Sequence, residues 1–154
     1  MKYRLLSLEE LAGLEPDFIR FLSSQSIPGS DWEKIKIQQA QRRDELLSLF
    51  SDLVLERALN NIEYIEFRSP NDIKTFFYDK ETAYLQGITI ENEAIDFTKS
   101  IDIQAVLKNK KNKIHTYSLS KPYLKERNVE LFTLLQQGAL VSDGVLYKVL
   151  KNLS

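Results

Sequence analysis

The sequence predicts an α+β fold: N-terminal helices, a three-stranded antiparallel meander with a fourth strand after it, and C-terminal helices. Two observations predict it. Apolar residues recur at helical spacing before residue 60 and after residue 128, whereas residues 62–90 are rich in β-branched and aromatic side chains and lose that period. Short polar breaks then cut the middle region into strand-length runs. The 154 residues contain no internal repeat and no linker-like tract, so residues 1–154 are expected to form a single domain.

Each element has its own local signal. Ser7 with Glu10 three residues on is a capping box, which predicts a helix from Leu8. Pro16 suits the first turn of a second helix, where Phe18, Ile19 and Leu22 share a face. Ser26-Ile27-Pro28-Gly29 ends that helix. Ser30 with Glu33 reads as a second capping box, opening a helix with Trp32 and Ile35 near its start and an interruption around 38–41. Leu46, Leu47, Leu49, Phe50, Leu53, Val54, Ala58 and Leu59 then cover over half of the next helix, which is therefore expected in a core or against a partner chain.

Strands are expected over 62–69, 73–79 and 82–90, joined through Ser69-Pro70-Asn71-Asp72 and Asp79-Lys80-Glu81. Ser100 reads as the cap of a short helix to Leu107, 108–113 as a basic loop, and 113–119 as the fourth strand. Asn128 reads as the cap of a helix ending at Gly138, whose missing Cβ suits a left-handed C′ position. Ser142 reads as the cap of the last helix, with Val145, Leu146, Val149, Leu150 and Leu153 as its apolar stripe.

Several stretches together resemble a family of small uncharacterised proteins from Bacteroidetes. They are Met1-Lys2-Tyr3-Arg4-Leu5-Leu6, Glu15-Pro16-Asp17-Phe18-Ile19-Arg20-Phe21-Leu22, Ile27-Pro28, and Asp31-Trp32-Glu33-Lys34-Ile35-Lys36. Phe50-Ser51-Asp52, Glu66-Phe67-Arg68-Ser69, Leu131-Phe132, Leu134-Leu135 and Gly138-Ala139-Leu140 continue the likeness. The match around Trp32 is the most specific. That family has no assigned activity, so the resemblance implies no catalytic residue.

Composition removes most familiar chemistries. With no Cys there is no disulfide, zinc ribbon, iron–sulfur ligation or Cys nucleophile in this chain. A single His leaves no His-cluster metal site. None of the five glycines belongs to a G-x-G-x-x-G or P-loop pattern, and no Gly-x-Ser-x-Gly elbow presents a serine. His115 is thus the sole candidate for imidazole chemistry; on a strand it shares a face with Tyr117 and Leu119, and a half-exposed strand histidine is the expectation.

The element order resembles in outline the restriction-endonuclease-like nucleases, which need an acid on the second strand and an acid-x-Lys on the third. Asp79 fits the first position, but 82–90 holds neither an acid nor a lysine, and Glu91-Asn92-Glu93 follows without the lysine. An inactive, degenerate nuclease-like fold is the most this likeness supports. Glu63 and Glu66 fall on opposite faces of one strand, and Asp52 with Glu56 at i,i+4 reads as a solvated pair. Phe76, Phe77 and Tyr78 split between the two sheet faces: one must pack on the helices, and the second is either covered by the C-terminal helices or a second subunit, which is the expectation, or left as an aromatic surface for a partner or ligand.

Charge is unevenly spread. Residues 1–107 carry a net −7, residues 108–127 a net +6, and residues 128–154 balance. The basic segment holds Lys108, Lys110, Lys111, Lys113, Lys121, Lys125 and Arg127, with Tyr117 and Tyr123 interleaved. Such a segment either follows a phosphate backbone and stacks bases, or is a solvated loop complementary to acidic helices.

No apolar run approaches the ~20 residues that cross a bilayer. Glu9 and Glu10 interrupt the N-terminus before a signal-peptide core develops, so a cytoplasmic location without membrane contact is expected. No cofactor, metal or catalytic residue is expected. The leading expectation is a non-catalytic protein–protein interaction domain that self-associates, a homodimer being the simplest form. Weak nucleic-acid binding through 108–127 is the alternative.

Overall fold

The capping box at Ser7 forms as its spacing requires. Ser7 Oγ accepts the Glu10 N–H at 3.1 Å and Glu10 Oε1 accepts the Ser7 N–H at 2.9 Å, opening helix α1 (Leu8–Gly13). Three more helices follow in this computed structural model, which describes residues 1–153: α2 (Glu15–Ser24), α3 (Gly29–Gln38) and α4 (Ala40–Asn60). The expected interruption falls at Gln39, between α3 and α4. The second capping box does not form. Pro28 is the N-cap of α3, with its carbonyl accepting the Asp31 and Trp32 N–H groups at 3.0 and 3.1 Å, so Ser30 already lies inside the helix.

The chain divides into two compact units, residues 1–58 and 59–154. In the first, Leu6, Phe21, Leu22, Ile27, Ile35, Leu46 and Phe50 form the core, with Phe18 edge-on to both Trp32 and Phe50 at 5.0 Å. Helix α4 is apolar on two sides: Leu46 and Phe50 turn inward while Leu49 and Leu53 stay exposed. Asp52 and Glu56 are not a solvated pair. Asp52 accepts the Lys2 and Tyr3 N–H groups at 2.6 and 2.9 Å, and Glu56 accepts from the Tyr3 hydroxyl and Lys2 Nζ, which fixes the N-terminal segment.

The second unit is built on one antiparallel sheet. Strands β1 (Tyr64–Ser69), β2 (Asp72–Tyr78) and β3 (Thr82–Ile90) form the expected meander, and β4 (Ile114–Pro122) pairs with β3. A fifth strand, β5 (Leu140–Ser142), pairs with β1 and completes the order β4-β3-β2-β1-β5. Helices α5 (Ile103–Lys108), α6 (Arg127–Gln136) and α7 (Val145–Leu153) cover its faces. Three residues carry no strand pattern of their own; the pairing with β1 makes 140–142 a strand.

Helix ends correct three further cap assignments. Asp102, not Ser100, caps α5 by accepting the Ala105 N–H at 3.2 Å. Asn128 lies in the first turn of α6, buried, donating to Asn60 Oδ1 at 2.7 Å. Ser142 belongs to β5, and Asp143 Oδ1 takes the Val145 N–H that opens α7. Gly138 does stand at C′ of α6 with φ +112°. The Ala139 N–H reaches the Leu134 carbonyl and the Gly138 N–H the Leu135 carbonyl, a Schellman closure.

Register assigns the faces. On one, Ile73, Ile88 and Ile90 pack with Leu146 and Leu150 of α7, Val106 of α5 and the fully buried Phe97. The stripe of α7 is turned from the expected one: Leu146, Tyr147 and Leu150 are buried, whereas Val145 and Leu153 are exposed. On the other face lie Ile65, Lys74, Phe76, Tyr78, Ala83, Leu85, Gly87, Tyr117, Leu119 and Lys121. Leu131 of α6 and Ile65 are fully buried, but Leu119 is 65 % exposed, so burial on this face is incomplete.

Candidate functional site

The second sheet face is organised in rows that run across the strands. One row is Lys74–Gly87–Tyr117. Gly87 is required there by close approach: a Cβ would lie 2.2 Å from Tyr117 Cζ. The Tyr117 ring crosses β3 at this point, its hydroxyl donating to Asp72 and accepting from Lys74 Nζ at 3.0 Å. Asp72 also accepts from Lys74 at 2.8 Å and Thr89 at 3.0 Å. Burial alone would raise the Asp72 carboxyl; the bonds from Lys74, Tyr117 and Thr89 outweigh it and hold the group below its ordinary value. Burial first, then the Asp72 hydrogen bond, push the Tyr117 hydroxyl up.

The next row is Phe76–Leu85–Leu119, and the one after is Tyr78–Ala83–Lys121. With Ser120 they floor an open cleft of about 420 Å³, walled by Glu130, Thr133 and Leu134 of α6 and by Gln137 at its C-cap, with Lys125 also lining it. Glu130 is engaged: its Oε1 accepts the Leu124 N–H at 3.1 Å. Lys121 and Lys125 are exposed and make no hydrogen bond or ion pair among the described residues. Tyr78 is only 7 % exposed, its hydroxyl makes no hydrogen bond among the described residues, and it is not sealed from solvent. Burial, aided by the Glu130 carboxylate, pushes that hydroxyl up to about 12.

The basic segment 108–127 is thereby divided. Lys108, Lys110, Lys111 and Lys113 are exposed around the turn into β4, and Lys121 and Lys125 lie at its other end. Eight strand residues at ~3.3 Å each separate Lys113 from Lys121 by about 26 Å. The remaining members are engaged within the fold. Tyr123 stacks on Tyr78 and donates to the Asp79 carbonyl at 2.6 Å. Arg127 donates to the carbonyls of Leu59, Ile62 and Tyr78, joining the end of α4 to β2 and to the start of α6.

The other candidates stay apart. His115 is exposed, with Nε2 3.3 Å from Glu91 Oε1. Asp79 sits exposed in the β2–β3 turn, and Glu66 bonds Arg68 and Ser142. Among the described residues no three His, Cys, Asp or Glu side chains converge so as to hold a metal ion, and no helix is long and apolar enough to cross a membrane.

A second feature adjoins the cleft. Strand β4 is the edge of the sheet, in unbroken register with β3 over nine residue pairs, and among the described residues no strand pairs with its outer side. Between Lys113 and Lys121 it carries no Lys, Arg, Asp or Glu, and Pro122 comes only at its end. Sequence reasoning missed the cleft because its far wall is α6, whose position over the sheet has no local sequence signal. Leu119 between two serines on β4 is the one clue the sequence holds.

No curated protein and no solved structure matches this chain. One family model does, over residues 1–154, and the chain belongs to that family, a family of unknown function (DUF6495).

Proposed function

We propose that this protein is a non-catalytic interaction domain that takes on a further polypeptide strand along β4, with a second copy of itself as the simplest partner. The observation that carries the reading is the open β4 edge. A long, flat, uncharged edge strand is a template for strand addition, and charge, proline or a bulge normally blunts such edges. Here no Lys, Arg, Asp or Glu, no proline and no bulge interrupts residues 114–120. Main-chain hydrogen bonds supply affinity in this mode and side-chain rows supply register.

Antiparallel self-pairing centred on Ser118 sets Thr116 opposite the partner's Ser120 and Tyr117 opposite the partner's Leu119. The exposed Leu119 then gains an aromatic neighbour, and no like charges meet within the paired stretch. Exposed apolar residues on α4, Leu49 and Leu53, give a second surface of the kind interaction domains carry.

Sedimentation equilibrium tests the reading. Wild type is expected at twice the 17.9 kDa chain mass at high concentration. Thr116→Lys with Ser120→Lys sets lysine against lysine at two places in the pair and is expected to weaken dimerisation at least about tenfold. A strict monomer, or a dimer indifferent to the double substitution, overturns it.

A further inference from the structure

The rows under the cleft are graded in polarity. Phe76, Leu85 and Leu119 make an apolar strip, and beside it Tyr78, Ala83 and Lys121 make a strip with a phenol at one end and an ammonium at the other. The small Ala83 side chain leaves room between those two polar groups. Lys125 adds a second ammonium at the same side. Both lysine side chains and the Tyr78 hydroxyl lack hydrogen-bond partners among the described residues, and all three residues line this one cleft beside the apolar strip. The row of Lys74, Gly87 and Tyr117 lies on the other side of the strip.

From this we infer that the cleft is a binding site for a small amphipathic carboxylate. The apolar body lies along Phe76, Leu85 and Leu119, and the carboxylate accepts from Lys121, Lys125 and the Tyr78 hydroxyl. A volume of about 420 Å³ suits a compact ligand rather than a long lipid chain. Charge selects an anion, since the two ammonium groups outnumber the single Glu130 carboxylate on the facing wall. The inference is separable from strand addition at β4 through Thr116, which lies outside the cleft, whereas Ser120 lines it.

Titration of the full chain with sodium octanoate, followed by amide chemical shifts, is the test. Saturable shifts confined to β2, β3, β4 and α6 are expected. Lys121→Gln with Lys125→Gln is expected to weaken octanoate binding about tenfold, since each exposed charge contact contributes modestly. Neutral 1-octanol is expected to bind weakly and with no response to the lysine substitutions, and Tyr78→Phe to weaken octanoate severalfold. Both lysines are exposed, so the variant retains the fold. Absence of saturable shifts, shifts elsewhere, or an octanoate affinity unchanged in the double lysine variant overturns the inference. Running the titration on Thr116→Lys, a position outside the cleft, separates a failed cleft from a failed dimer.

Discussion

At the residue scale, Gly87 and Tyr117 depend on each other. The glycine is not there for an unusual backbone angle; it is there because a ring lies across it, tethered by Asp72 and Lys74. Gly87→Ala must push the ring off β3 and break the bond to Asp72. A loss of about 1–3 kcal/mol in urea denaturation is expected, as for other overpacking substitutions. The same substitution in a Tyr117→Ala background is expected to cost much less, and equal costs in the two backgrounds would count against the steric account.

Asp72 gives a linked pH effect. Its folded carboxyl titrates below the unfolded value of ~3.9, so its contribution is fully present above that value and is lost as pH falls through the folded one. Wild type is therefore expected to lose stability below about pH 4 more steeply than Asp72→Asn. Parallel acid-denaturation curves would remove this group as a cause. None of these pairings was legible in the sequence: the third strand's glycine looked like any other, and the partner lies thirty positions along the chain.

At the element scale, α6 is set by one arginine. Arg127 begins the helix, and its guanidinium serves three carbonyls at the end of α4, in the following loop and at the end of β2. The Leu59 carbonyl also accepts the Ile62 N–H at 3.1 Å, so the loss of the donor falls mainly on the Ile62 and Tyr78 carbonyls. Arg127→Ala is expected to destabilise by about 2–4 kcal/mol in thermal or urea unfolding, and Arg127→Lys to recover only part of it, because one ammonium cannot span three acceptors. Full recovery by lysine would mean that charge, not the fork, matters.

Element existence was well signalled, and element ends were not. Strands β1 to β3 and helix α6 lie within a few residues of their expected spans because period and turn chemistry are local. Caps at Ser30, Ser100, Asn128 and Ser142 were misassigned because serine and asparagine fit several positions near a helix start, and tertiary bonds decided among them. Asn128, for example, turns to Asn60 instead of its own helix.

At the scale of the whole molecule, the α+β class was readable from the change of period alone, while the cleft required knowing where α6 lies. The charge profile shows the same division. Sequence arithmetic isolates a +6 segment, but folding splits it between the two ends of β4 and uses Arg127, Tyr117 and Tyr123 inside the structure. A single-stranded nucleic acid needs a continuous cationic track with free aromatic faces. Here the two lysine groups are separated by about 26 Å of strand without a charged residue, and the interleaved tyrosines are held by hydrogen bonds. Fluorescence anisotropy with a labelled oligothymidylate is therefore expected to show only weak binding at low salt, lost near 0.15 M, where exposed charges are screened beyond ~8 Å. Lys110→Ala with Lys111→Ala is expected to abolish that residue of binding, and Tyr123→Phe to leave it unchanged. Binding that survives at 0.15 M and falls with Tyr123→Phe would restore the basic segment as a nucleic-acid surface and displace strand addition as the leading reading.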